Sequence, residues 1–208
     1  MKVAVLGGTG KMGRAIAKRL AKANSVVIGS RDVAKAEEAA KGIPGATGMD
    51  YAGASEAADV VVVSVPSSAV GSLAPLAKVL AGKLVISVVN PLRFEGGLLY
   101  FDMDKGSAAE ELAKVLSGSR VATAFNNIPA ALLEKDETIP IDVLVAADSK
   151  STFDEVAGLV RTIQNLRPLY AGPLTQAAIV EMITPLVLNL AKLNGTGSLA
   201  TRFVSRRD

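Results

Sequence analysis

The chain has 208 residues, half of them apolar and 21% charged, with a formal net charge of +3. This composition indicates a globular protein and excludes general disorder, while the small charge and the 4% aromatic content give no sign of nucleic-acid binding. Cysteine and histidine are both absent, which excludes disulfides, thiol nucleophiles, histidine acid–base catalysis and most zinc sites.

Strands and helices alternate along the chain. The predicted strands, which are short and almost wholly apolar, cover Lys2–Leu6, Ser25–Ile28, Asp59–Val65, Leu84–Val89, Arg120–Ala124, Val143–Ala147 and Leu166–Tyr170. The predicted helices cover Met12–Leu20, Asp32–Lys41, Ala69–Leu80, Ala108–Leu116, Phe153–Ile163 and Thr175–Leu193. Uniformly apolar strands are typical of parallel strands that are covered on both faces. The pattern therefore predicts βαβ units, a mainly parallel sheet and the α/β fold class.

One segment does not fit this alternation. Leu92–Gly106 is predicted to be an irregular loop, made flexible by Gly96, Gly97 and Gly106. Its length is typical of a loop that covers a functional site, and the alternative is a plain solvent-exposed insertion.

The sequence gives no sign of membrane insertion or export. The chain starts directly with an apolar strand, without a charged leader or a cleavage site. The apolar segment Ala177–Leu193 contains Glu181, Pro185, Asn189 and Lys192, and we expect it to be too polar and too short to span a bilayer. We therefore expect a cytoplasmic protein without a membrane or nucleic-acid partner.

A glycine motif follows the first strand. Residues 8–13 read Gly-Thr-Gly-Lys-Met-Gly, a G-x-G-x-x-G sequence placed between a strand and a helix. In this context Gly8 permits the tight turn, Gly10 lets the backbone approach a pyrophosphate, and Gly13 lets helix and strand pack closely. The phosphates then bind the free N–H groups of the helix N-terminus. The motif predicts a dinucleotide site.

The end of the second strand favours NADP(H) over NAD(H). Proteins of this type that bind NAD carry an acidic residue there for the ribose 2′-hydroxyl, whereas this chain has Ser30 and Arg31. A guanidinium and a hydroxyl suit a 2′-phosphate, to which Thr9 and Lys35 can add contacts. Asp32 would repel that phosphate if it faced the ribose, but we expect it to cap the following helix instead.

Polar residues follow three further strands. Ser67 comes after the valine-rich strand, Asn90 after the next, and Asn126 and Asn127 after Arg120–Ala124. Because ligands of open α/β sheets bind at the carboxyl ends of the strands, these groups can bond a carboxamide or a flavin-like ring. Alternatively, Ser67 caps its helix and the asparagines form turns.

The sequence resembles the NADPH-dependent coenzyme F420 reductases of archaea, also called F420H2:NADP oxidoreductases. The matching segments run in order along nearly the whole chain and comprise Val5–Gly10, Gly29–Arg31, Thr47–Met49, Ile128–Ala130, Leu166–Leu169, Ala171–Leu174, Thr184–Leu186 and Asn194–Gly197. The resemblance implies a Rossmann-like NADP-binding domain over residues 1–172 and a small helical part over residues 173–208 that closes the acceptor cleft. It also implies a homodimer, and hydride transfer between NADP(H) and coenzyme F420, a deazaflavin.

The resemblance further implies site residues. The positions that it assigns to NADP are Thr9, Gly10, Lys11, Met12, Ser30, Arg31, Lys35, Ser67, Gly71 and Ala130. Leu199 falls on a deazaflavin contact. Because hydride transfer between two rings requires proximity and orientation rather than proton transfer, we expect no catalytic acid or base and no metal ligand.

The sequence departs from the family pattern at two positions near the expected acceptor site. Asn126 stands where the family has a histidine, and Ala178 stands where it has an arginine. The Phe-Asn version at residues 125–126 resembles related reductases that use flavins. An NADPH-dependent reductase of FMN, FAD or another acceptor is therefore the alternative function.

Two other classes remain as alternatives. A hydroxyacid or imine dehydrogenase needs a catalytic Lys or Asp on a large helical domain, for which the residues after the last strand are too few. A non-enzymatic NADP(H) sensor would bind the dinucleotide without oxidising it.

Overall fold

The computed structural model describes residues 1–135 and 139–206. Strands β1–β10 cover Lys2–Leu6, Ser25–Gly29, Thr47–Met49, Val60–Val63, Leu84–Ser87, Leu92–Glu95, Leu98–Phe101, Arg120–Thr123, Ile141–Ala147 and Leu166–Gly172. Helices α1–α8 cover Lys11–Leu20, Val33–Lys41, Tyr51–Ala57, Ala77–Leu80, Ala108–Val115, Ala130–Glu134, Lys150–Arg161 and Ala177–Asn194. Short 3₁₀ segments cover Ser67–Leu76 and Leu174–Gln176. The last two residues of the predicted C-terminal part, 207 and 208, lie outside the described residues.

Eight strands form one sheet in the order β10-β9-β8-β5-β4-β1-β2-β3. Its neighbouring strands pair in parallel except for β8 and β9, which are antiparallel. The strand order reverses beside β1, which pairs with β2 on one side and β4 on the other. This is a doubly wound, Rossmann-like sheet, and the predicted fold class is confirmed.

The apolar strands are buried because helices cover both faces of the sheet. Val60–Val63 of β4 is buried at every position, and its side chains alternate between two separate core clusters, one on each face. This explains why the strand shows an uninterrupted valine run rather than an alternating pattern.

The region between β2 and β4 contains elements that the sequence did not predict. No element is predicted between the helix that ends at Lys41 and the strand that starts at Asp59, but β3 starts at Thr47 and is followed by α3. After β4, the structure also differs from the predicted helix Ala69–Leu80. Ser67–Leu76 forms a 3₁₀ helix, and only Ala77–Leu80 is α-helical. Pro75 lies inside that segment and lacks the N–H group that an α-helical bond would need.

The predicted irregular loop Leu92–Gly106 is wrong over its first ten residues. β6 and β7 form an antiparallel hairpin in which Glu95 pairs with Leu98. Gly96 and Gly97 are the two turn residues, with φ of 55° and 83°. Consecutive left-handed residues in a two-residue turn match the twist of a hairpin, so these glycines fix the turn rather than loosen it.

The expectation that the last helix is too short and too polar to span a bilayer is also wrong as far as length and composition go. The helical stretch Leu174–Asn194 has 21 residues, a mean hydropathy of 1.5 and a third of its most apolar window buried. It starts before the predicted segment, at Leu174. Its polar residues, however, bind other elements of the fold: Asn189 exchanges two hydrogen bonds with the backbone of Leu99 in β7.

A buried carboxylate joins α8 to the N-terminus of α5. Glu181 accepts hydrogen bonds from Ser107 Oγ and from the backbone N–H groups of Ala108 and Ala109, all at 3.0 Å. Burial raises the pKa of Glu181 to about 7, against the lowering effect of these three donors, and the nearby charge of Glu110 adds to the increase. The contact holds α8 over the carboxyl edge of the sheet.

We expect this carboxyl group to make stability fall as pH rises. The folded protein retains the Glu181 proton up to about pH 7, whereas the unfolded chain releases it near 4.5, so the stabilisation is complete below 4.5 and is lost through pH 7. Between pH 5 and 8, the wild-type free energy of unfolding should decrease on the order of 2 kcal/mol more than that of Glu181→Gln. Urea unfolding at several pH values measures this difference, and equal slopes would show that Glu181 stays ionised throughout.

Candidate functional site

A cleft of about 480 Å³ lies at the carboxyl edge of β1, β4, β5 and β8. It is mostly apolar and is lined by Gly10, Lys11, Met12, Ser64, Val65, Pro66, Val88, Val89, Asn90, Leu92, Asn126, Asn127, Ile128, Pro129, Ala130, Thr184, Val187 and Leu188. The structure thus brings together six of the predicted site residues, from the glycine turn, the ends of β5 and β8, and the start of α6. This is the position at which open α/β sheets bind their ligands.

The glycine turn has the geometry that a pyrophosphate needs. A Cβ atom on Gly13 would lie 2.5 Å from the Gly7 carbonyl oxygen, so only glycine lets α1 pack against the turn. A Cβ atom on Gly10 would meet nothing closer than 3.4 Å. Gly10 precedes α1 and supplies no capping side chain, which leaves the first N–H groups of the helix available to an anion. The residues therefore fit a dinucleotide phosphate.

The predicted 2′-phosphate residues lie around the end of β2. Ser30 is buried there and Arg31 is exposed directly after it. Asp32 caps α2 by accepting from the Lys35 N–H at 3.2 Å, as predicted, and its other carboxylate oxygen lies 3.7 Å from Lys35 Nζ. Thr9 and Lys35 line a second cavity of about 680 Å³ between α1 and α2. Both oxygens of the Asp32 carboxylate thus interact with Lys35 of α2.

Asn126 is the centre of a hydrogen-bond network behind the cleft. Its Oδ1 accepts from Thr123 Oγ1 at 2.6 Å, and its Nδ2 donates to the Val89 carbonyl at 3.1 Å and to Asn90 Oδ1 at 3.0 Å. Its backbone carbonyl accepts from Thr184 Oγ1 at 2.6 Å. Asn126 is almost fully buried. Its amide bonds protein groups on both sides, which makes it part of the wall of the cleft.

The residue before Asn126 has an unusual backbone. Phe125 has a φ of 65°, in the left-handed region that a bulky side chain rarely adopts, and its ring is fully buried. Such a conformation persists only where the surrounding structure enforces it, and it occurs frequently at functional sites. Here it turns the chain at the end of β8, so that Asn126 faces Asn90.

Helix α8, in the helical part that the resemblance places at the cleft, supplies three cleft residues that were not predicted individually. Thr184, Val187 and Leu188 share one face of this helix and line the cleft, opposite the ends of the strands. The spacing of these three residues in the sequence predicts one face of a helix. It does not distinguish a face that binds a ligand from a face that packs in the core. The Thr184 bond to Asn126 fastens α8 to the end of β8.

Five predicted site residues line neither cavity: Ser30 and Arg31, described above, and Ser67, Gly71 and Leu199. Ser67 and Gly71 lie on the 3₁₀ helix after β4, and the cap position of that helix is Pro66, so Ser67 does not cap it. Leu199 lies half-buried in the tail after α8. Asn127 holds this tail, because its Nδ2 donates to Thr201 Oγ1 at 2.6 Å. Of the two asparagines at the end of β8, Asn126 therefore bonds residues at the cleft, whereas Asn127 bonds the tail.

The cleft offers orientation rather than proton transfer. Of the described residues that line it, only Lys11 carries an ionisable side chain. Its other polar groups are hydroxyls, amides and backbone groups. Such a lining can hold an uncharged ring in a dry site and give it a fixed direction, which is what hydride transfer between two ring systems requires.

Comparison with known proteins gives consistent matches. Residues 2–91 match the family described as NADP oxidoreductase, coenzyme F420-dependent. The F420-dependent NADP reductase of Methanothermobacter thermautotrophicus is 42% identical, over 91% of this chain and 89% of that protein. The reductase of the same name from Methanocaldococcus jannaschii is 38% identical, over 95% and 96%. A provisionally assigned F420-dependent NADP reductase of solved structure, from Arthrobacter sp. FB24, superposes with a TM-score of 0.85 at 26% identity, over 99% and 100%.

Proposed function

Because this chain belongs to the family of F420-dependent NADP reductases, we propose that it transfers a hydride reversibly between NADP(H) and coenzyme F420. The observation that carries the proposal is the cleft itself, in which a glycine turn at the N-terminus of α1 opens into a mostly apolar space at the strand ends. An oxidoreductase with two ring cofactors needs both features in one site.

The glycine turn and the end of β2 hold the dinucleotide in this proposal. The first N–H groups of α1 bind the pyrophosphate, with Thr9, Gly10, Lys11 and Met12 around it. Arg31, Ser30 and Lys35 bind the 2′-phosphate, while Ser67 and Gly71 face the adenosine side. Arg31 has the freedom for this role, since it is exposed at the strand end. Its charge acts on the half-buried Tyr51 there, where it opposes the rise that burial causes in the pKa of the phenol.

The ends of β5 and β8 hold the reacting rings. Bound NADPH supplies the hydride and bound F420 accepts it. Asn90, Asn126 and Ala130 border the nicotinamide side, and α8 with the tail that includes Leu199 borders the acceptor side. The apolar residues exclude water, and we assign no acid or base on the protein. In this view residues 1–172 bind NADP and residues 173–208 close the acceptor side.

The test is anaerobic mixing of the protein with NADPH and each of F420, FMN and FAD. We expect NADPH oxidation with F420 alone, followed as loss of the deazaflavin's visible absorbance, and a slower reaction with NADH. Turnover only with FMN or FAD would contradict the acceptor assignment. That alternative is favoured by one observation, which is that Asn126 lines the cleft at the position where the family resemblance implies a histidine. Binding of NADPH without its oxidation by F420, FMN or FAD would contradict both.

The protein acts in this proposal as a homodimer in the cytoplasm. Ile179, Leu186, Leu190 and Leu193 are exposed, and with the half-buried Met182 they recur every three, four or seven residues along α8. That spacing puts them on one face, opposite the residues that line the cleft. A continuous apolar face is a typical interface, and a second copy of the same face is its natural complement in a two-fold dimer.

We expect Leu190→Glu to convert the dimer into monomers. Leu190 is 43% exposed on this face, so a glutamate there keeps its hydration in the monomer but is buried beside its own symmetry mate in a dimer. Analytical ultracentrifugation measures the change, with Lys114→Glu on the exposed side of α5 as the charge-reversal control. A wild-type protein that sediments as a monomer would refute the dimer.

A further inference from the structure

The network at the ends of β5 and β8 fixes the direction of the Asn126 amide. The Val89 carbonyl can only accept a hydrogen bond, so the Asn126 atom at 3.1 Å from it must be the nitrogen. The Asn126 oxygen then receives the hydroxyl of Thr123 at 2.6 Å. If the Asn126 amide were rotated by 180°, its oxygen would face the Val89 carbonyl oxygen, and the two oxygens would repel each other. Asn126 therefore has one allowed orientation.

This orientation determines that of Asn90. The Asn126 nitrogen lies 3.0 Å from one end of the Asn90 amide, which must therefore be its oxygen. The Asn90 nitrogen is left at the other end, with the Asn126 carbonyl oxygen 3.5 Å away, at the outer limit for a hydrogen bond. Within the described residues, its second hydrogen has no partner. Asn90 is half-buried and lines the cleft, so it presents a donor there.

We propose that Asn90 donates a hydrogen bond to the carbonyl oxygen of the nicotinamide carboxamide, and that Asn126 is a positioning residue that directs this donor without touching the dinucleotide. The inference rests on the proposed function for the identity of the ligand. A dinucleotide that runs from Arg31 over the glycine turn places its nicotinamide over the ends of β4 and β5, where Asn90 lies. A single fixed donor selects one direction of the carboxamide and so helps to decide which ring face meets the acceptor.

The decisive experiment compares NADPH with its thionicotinamide analogue, because sulfur is a much weaker acceptor than oxygen. For Asn90→Ala, we expect the calorimetric Kd for NADPH to rise about 10-fold, and that for the analogue by less than about 3-fold. The Kd for 2′,5′-ADP, which lacks the nicotinamide, should stay unchanged. Gln164→Ala, which removes an exposed amide after α7, is the control and should alter none of the three.

Asn126→Leu tests the positioning role. Leucine keeps the volume but removes the group that directs Asn90, so the preference for NADPH over the thio analogue should shrink although residue 126 does not touch the ligand. Equal losses for both ligands in Asn90→Ala would overturn the carbonyl contact. An unchanged preference in Asn126→Leu would overturn the positioning role. No acceptor is present in these measurements, so a protein that passes them and fails to reduce F420 disproves the proposed function alone.

Discussion

Gly10→Val is expected to abolish NADPH binding while leaving the fold intact. Gly10 has an extended backbone, with φ of −77° and ψ of 165°, which valine adopts readily. Its Cβ would meet only the Gly7 carbonyl, at 3.4 Å, so the folded protein has room for the side chain. The branched methyl groups would instead occupy the space of the pyrophosphate. Since each charge-assisted hydrogen bond contributes about 1.5–3 kcal/mol, losing two or more weakens binding at least about 100-fold.

The measurement is calorimetric titration with NADPH, together with thermal unfolding. Two other glycines provide the comparison. Gly13→Ala should lower the melting temperature, because its Cβ would lie 2.5 Å from the Gly7 carbonyl oxygen. Gly158→Ala, in the open space around α7, should leave NADPH binding unchanged and raise the melting temperature, because alanine favours a helix more than glycine does. NADPH binding that survives in Gly10→Val would mean that the glycine turn does not hold phosphate.

Arg31→Ala is expected to remove most of the preference for NADPH over NADH. In the proposed site Arg31 bonds the 2′-phosphate, which NADH lacks, so the loss falls on one dinucleotide only. A charge-assisted contact of about 1.5–3 kcal/mol corresponds to roughly a 10- to 100-fold higher Kd for NADPH. The Kd for NADH should change by less than about 3-fold.

The two Kd values are measured side by side in wild-type protein and variant. Arg161→Ala, an exposed arginine in the last turn of α7, controls for the general loss of a positive charge. If Arg31→Ala weakens the binding of NADPH and NADH equally, Arg31 has a structural role in the site, and its assignment to the 2′-phosphate is wrong.

The sequence predicts those parts of the molecule that depend on local interactions. The glycine turn with α1, the valine strand β4 and the Asp32 cap each lie within a few residues, and all three are present as predicted. The hairpin β6–β7 was missed because two glycines usually signal a loop, and here the same residues form the turn of a hairpin.

The candidate site depends on contacts that are distant in sequence. The Asn90–Asn126 bond joins residues 36 apart, and Thr184 reaches Asn126 across 58. Hydrophobic periodicity identifies α8 as a helix but gives no sign of which face meets the cleft. The sequence predicts that polar residues lie together at the strand ends. Which of them face the ligand, which form the wall of the cleft and which hold the C-terminal tail depends on how the elements pack.

The two hydrogen bonds between Asn189 and Leu99 cover part of the open edge of the hairpin. The outer edge of a two-stranded ribbon carries unpaired N–H and carbonyl groups, which can recruit a strand from another molecule and start an open-ended assembly. Asn189 occupies both backbone groups of Leu99, at 3.0 and 2.7 Å, in the way that a neighbouring strand would. The edge of β7 is therefore closed at Leu99 to pairing with a strand of another molecule.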